Sequence, residues 1–166
     1  MKKFLQCLLT AVIAVLFAIT AYADDFLRWK NPKKITVYIP QHKRKVMMKH
    51  CLEEWTKKTG KKIIFYYVES PQKADIEVKF VEKITETKTV DRTIGLTQSK
   101  YSGKYFIKSI IQIAEKTPQN ITLGNDSVYT VMLHETGHAI GLLEHSKDKL
   151  SIMRSEEHTS ELQSQR

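Results

Sequence analysis

His134 and His138 stand four residues apart, and Glu135 directly follows the first of them. This spacing constrains the chain more than any other feature. Residues four apart share one face of an α-helix, so a helix here lets both imidazoles bind a single metal ion. Glu135 then sits one step round the helix, within reach of a water on that ion but outside the ligand positions. A catalytic zinc needs a third protein ligand and keeps one open position. Gly141 follows where the helix must end and the chain must turn sharply, because glycine accepts positive φ without steric cost. His145 lies just beyond and can fold back to complete a three-histidine site. Ser151, Ile152 and Met153 come shortly after.

The rest of the chain reads as alternating strands and helices. Residues 35–39 alternate and are β-rich, and Pro40 ends them. Residues 43–59 place Met48, Cys51, Leu52 and Trp55 on one helical face, a core stripe with Gly60 as its stop. Residues 62–69, 75–81, 94–97 and 105–115 are further strands. A polar loop covers 82–92, and a turn surrounds Gly103. Asp126 or Ser127 caps the helix that carries His134. A strand, a helix and a second strand in succession favour parallel pairing across the crossover. The expected fold is α+β with α/β-like crossovers: a mixed twisted sheet of about five strands, one N-terminal helix and one metal-site helix, both on one side.

The run His-Glu-Thr-Gly-His-Ala-Ile-Gly-Leu-Leu-Glu-His-Ser (134–146), with Met153 downstream, closely resembles the metzincin zinc motif, especially its matrixin branch. Looser likeness extends over most of 35–153. The resemblance implies a zinc metalloendopeptidase that acts on protein or peptide substrates. It implies one catalytic Zn2+ on His134, His138 and His145, with Glu135 as the base that takes a proton from water. It places Met153 in a tight turn beneath the zinc ligands. Counted strictly, the family spacing puts the third ligand on Glu144; His145 is preferred because imidazole is the family ligand and Glu144-His145-Ser146 matches the family ending. The resemblance also assigns Ile94, Gly95, Leu96 and Thr97 to the exposed sheet edge, where an extended peptide can pair as an added strand. Gly95 would then leave room for the peptide backbone, and a proline at Leu96 would remove one of the donors. Matrixins commonly carry a second, structural zinc in the loop between the third and fifth strands. Here residues 83–104 contain no His and no Cys, so no zinc is expected there. Asp91 and carbonyl oxygens leave Ca2+ possible.

Before residue 24 the chain has the layout of a signal peptide: Lys2 and Lys3, an apolar run over 4–18, and Ala21-Tyr22-Ala23 as the cleavage site. The expected locations are therefore secreted or periplasmic, with no stable membrane insertion after removal. Cys51 is then the lone cysteine of the mature chain, a small core residue rather than a nucleophile. Residues 154–166 read as the translation of a widely used sequencing adapter. On that reading the domain is 24–153, truncated at its C-terminal end, and His158 is no ligand. The formal net charge is +9, and removing Lys2 and Lys3 leaves the chain strongly basic. Apart from His42-Lys43-Arg44-Lys45 the lysines are dispersed, which suits a solvated surface. His42 and His50 are read as surface residues. Basicity keeps one alternative open, a catalytically inactive, zinc-stabilised module that binds an anionic cell-surface polymer. No nucleic-acid module is recognisable, so no nucleic-acid partner is expected. A monomer is expected.

Overall fold

Ile35 and Val37 are fully buried and their neighbours Thr36 and Tyr38 are not, the alternation of a strand with one face on a core. The same pattern recurs at Ile76 and Val78, and at Ser109, Ile111 and Ile113. The computed structural model, which describes residues 26–84, 94–148 and 150–154, joins these strands into one five-stranded sheet. In chain order the elements are β1 (Ile35–Tyr38), α1 (Lys45–Lys58), β2 (Phe65–Tyr67), β3 (Ile76–Val81), β4 (Gly95–Ser102), β5 (Tyr105–Ala114) and α2 (Asn125–Ile140). A 3-10 turn, Pro71–Lys73, precedes β3.

The strand order is β2-β1-β3-β5-β4. β1 pairs parallel with β2 across the α1 crossover and parallel with β3, which pairs parallel with β5. β4 is the exception, an antiparallel edge strand joined to β5 by a hairpin. Both helices lie on the buried face. Met48, Cys51 and Leu52 of α1 and Val128, Val131 and Met132 of α2 share one cluster with the inward strand residues. Each fully buried aliphatic side chain there contributes roughly 1.5–3 kcal/mol. Trp55 ties the helices together by donating its indole N–H to the Leu133 carbonyl at 3.0 Å. Cys51 is buried, its thiol pushed up to about 12 by that burial, so it has little thiolate character.

Several boundaries differ from the sequence reading. β2 is confined to three residues, because Gly60 and Lys61 both take positive φ and the chain turns there before pairing begins. β4 runs on to Ser102, and the turn reduces to Gly103-Lys104 between the paired strands. α2 starts at Asn125 behind Gly124, with no side-chain cap from Asp126 or Ser127.

The basic cluster at 42–45 is solvated only in part: Lys43 is exposed, whereas Arg44 faces inward. Arg44 is buried and donates to the Leu123 carbonyl at 3.1 Å. Glu115 takes Lys43 at 3.0 Å, His42 at 3.4 Å and Arg44 at 3.5 Å. The hydrogen bond from Lys43 holds the Glu115 carboxyl below the usual carboxylate range. His42 also stacks on Phe80, with ring centroids 4.2 Å apart, so it is half-buried; His50 is exposed. The cluster pins the start of α1 to the connection between β5 and α2.

Among the described residues no helix is long and apolar enough to cross a membrane. The expected leader, Asp91 with most of its loop, and His158 lie outside the described residues.

Candidate metal centre

α2 presents His134 and His138 on one face, one turn apart. Their rings are fixed from behind. His134 Nδ1 lies 2.8 Å from the Ile152 carbonyl oxygen, and His138 Nδ1 lies 2.7 Å from that of Leu142. A carbonyl only accepts, so in each ring Nδ1 carries a proton and Nε2 is the nitrogen left to face a metal. Burial pushes the His138 imidazole below its ordinary pKa, which favours the neutral form a metal ligand needs.

The end of the helix builds the second of these supports. Gly141 adopts φ +116°, its N–H bonds the His138 carbonyl at 3.1 Å, and the Leu142 N–H bonds the Gly137 carbonyl at 2.9 Å. This is a Schellman-type close. It swings the Leu142 carbonyl back onto the His138 ring. The chain then returns past the helix: the Ser146 N–H bonds the Met153 carbonyl at 2.6 Å, and His145 lies on that returning loop. His145 Nε2 comes 3.2 Å from His134 Nε2, which itself is 3.0 Å from His138 Nε2. Glu144 is exposed and outside this group.

Met153 is buried beneath α2, and its sulfur occupies the space a side chain at Gly137 would need. Trp55 closes the same space, with its ring 3.2 Å from that position. Gly137→Ala therefore forces Met153 off the helix. Chemical denaturation is expected to show a loss of roughly 1–3 kcal/mol, the range for overpacking, although alanine is the better helix former.

Glu135 is buried and points at β4. The Thr97 hydroxyl lies 2.6 Å from its Oε2. The room left by Gly95 is taken by this helix: a Cβ there would meet Glu135 Oε1 at 2.6 Å and Val131 at 2.5 Å. Gly95 thus makes space for Glu135 rather than for an incoming peptide. β4 is the sheet edge, last in the strand order. The Ala114 N–H bonds the Ile94 carbonyl at 2.9 Å, and Gly95 faces Ile113 in register. By the antiparallel alternation, the main-chain groups of Ile94 and Leu96 face β5, and those of Gly95 and Thr97 face outward. A proline at Leu96 would break the ladder to β5 instead of removing an outward donor. A groove beside His138 and His145 is lined by Thr97, Ser99, Tyr101, Phe106 and Leu143. A second groove, between α1 and β2, is remote from the histidines.

The Nε2 atoms of His134 and His138 stand 3.0 Å apart while both Nδ1 atoms are taken up by carbonyls, so the ring nitrogens left over point to one shared position. Zn–N bonds of 2.0–2.1 Å in a tetrahedron set the nitrogens about 3.3–3.4 Å apart, close to the separations found. The donor set, three imidazoles with two of them braced by carbonyls, suits zinc. Among the described residues this is the group of His, Cys, Asp or Glu that could hold a metal ion, and calcium gains no support from it. The matrixin family model matches residues 24–164. The chain belongs to the matrixin family. Matrixins are zinc metalloproteases, so the family implies a zinc-dependent peptidase acting on peptide substrates. No curated protein matches the chain.

The sequence pointed to the histidines through their spacing. It did not point to the side-chain role of Thr97 or to the close approach at Gly95. Gly137 carried a signal that was available: a glycine inside a helix is costly and often marks close packing.

Proposed function

We propose that this matrixin is a secreted or periplasmic zinc-dependent endopeptidase. His134, His138 and His145 hold the zinc, and Glu135 is its general base and then its general acid. The observation that carries the reading is the convergence of three Nε2 atoms within 3.0–3.2 Å steps, beside a buried carboxylate on the neighbouring helix position.

When bound, zinc supplies a Lewis acid that polarises a carbonyl and lowers the pKa of water. The chain's own residues do the rest. Gly95 and Thr97 offer outward main-chain groups that bind an extended peptide along β4, an affinity that demands no particular sequence. Tyr101, Phe106 and Leu143 give the groove apolar walls that help exclude water. Glu135 takes the proton from the attacking water and passes it to the departing amine nitrogen. The Ile152 and Leu142 carbonyls keep the two helix imidazoles in their ligating tautomer throughout. Gly141 and Met153 shape the support beneath.

Casein digestion tests the endopeptidase reading. Mass spectrometry is expected to find internal fragments from the earliest time points. Release of terminal residues alone would contradict it.

A further inference from the structure

Thr97 meets Glu135 twice. Its Oγ1 lies 2.6 Å from Glu135 Oε2 and 2.9 Å from the Glu135 main-chain oxygen. We propose that Thr97 is a positioning residue that, together with Gly95, forms a slot on the helix-facing side of β4 and holds the Glu135 carboxylate where it takes and gives its proton. The inference rests on Glu135 being the proton carrier of the proposed peptidase.

Residues 95 and 97 are two apart on one strand, so both present to the same face. That face meets α2. Gly95 contributes an absence: a Cβ there would stand 2.6 Å from Oε1 and 2.7 Å from Cγ of Glu135. Thr97 contributes a hydroxyl, which both donates and accepts. The hydroxyl donates to Oε2, a charge-assisted bond that fixes the carboxylate against the strand. A tie between helix and strand alone would need only the main-chain bond; the short contact to Oε2 is what assigns Thr97 to the carboxylate.

The test compares Thr97→Val, which keeps the shape and loses the hydroxyl, with Thr97→Ser, which keeps the hydroxyl. Peptide-cleavage kinetics and zinc content are measured on the zinc-loaded chain. Thr97→Val is expected to lower kcat roughly ten- to a hundredfold, with KM and zinc content unchanged. Thr97→Ser should restore most of kcat. A readout independent of activity is a double-mutant cycle in urea unfolding at fixed zinc, with Thr97→Val and Glu135→Ala singly and together; the losses are expected to be non-additive. Normal kcat in Thr97→Val, equal losses in both Thr97 variants, or additive unfolding losses would overturn the proposal. If Thr97→Val does not fold, Thr97→Ala takes its place. Wild-type cleavage that survives Glu135→Ala would overturn the proton-carrier reading and this inference with it. Cleavage that depends on Glu135 and ignores Thr97 would overturn this inference alone.

Discussion

Glu135→Ala is expected to abolish measurable peptide cleavage and leave zinc bound. General acid–base groups contribute about 100- to 10,000-fold, and in the proposed mechanism one carboxylate serves both halves of the proton transfer, so the upper part of that range is expected in kcat/KM. Zinc content should not change, because Glu135 is not among the three converging histidines. The fold should also survive. The truncation removes a buried acid from beside Gly95 and Val131 and leaves the braces on His134 and His138 intact. Cleavage of a quenched peptide and metal analysis on the same sample check both halves. Loss of zinc along with activity would mean that Glu135 supports the ligands rather than the reaction.

The second large effect is on metal affinity. His145→Ala should weaken zinc binding by more than about 100-fold, because even outer-shell partners of metal ligands are commonly worth 10- to 100-fold. Glu144→Ala should leave affinity unchanged. Glu144 is exposed and stands outside the histidine group, whereas His145 Nε2 lies 3.2 Å from His134 Nε2. Competitive titration with a zinc-binding dye measures both variants. The reverse result, with only the Glu144 variant losing metal, would place the third ligand one residue earlier.

The strands at 35–38, 76–81 and 105–114 were legible because one face is buried and the alternation is clean. The parallel crossover of β1 and β2 was legible from the strand–helix–strand order. β4 was harder. Beyond Thr97 it reads Gln-Ser-Lys-Tyr-Ser, polar residues that an edge strand tolerates because little of it packs on the core. The burial of Arg44 is not legible, because composition alone cannot tell a solvated arginine from one buried against the Leu123 carbonyl and Glu115, which lie 79 and 71 positions further along. The helix spacing of His134 and His138 is local and visible. The loop carrying His145 is not periodic, so counting left Glu144 and His145 as alternatives, and only the path of the chain in space separates them. The slot around Glu135 depends on a strand some forty residues upstream, a distance at which sequence pattern carries no register.

Zinc dependence of cleavage tests the central claim most directly. Wild-type chain is assayed on an internally quenched peptide, stripped with a strong chelator, assayed again, and then titrated with zinc. The account predicts that activity disappears on stripping and returns in proportion to added zinc, reaching its plateau at one equivalent per chain. Cleavage that persists in the stripped protein, or a fully zinc-loaded chain that cleaves nothing, would contradict it.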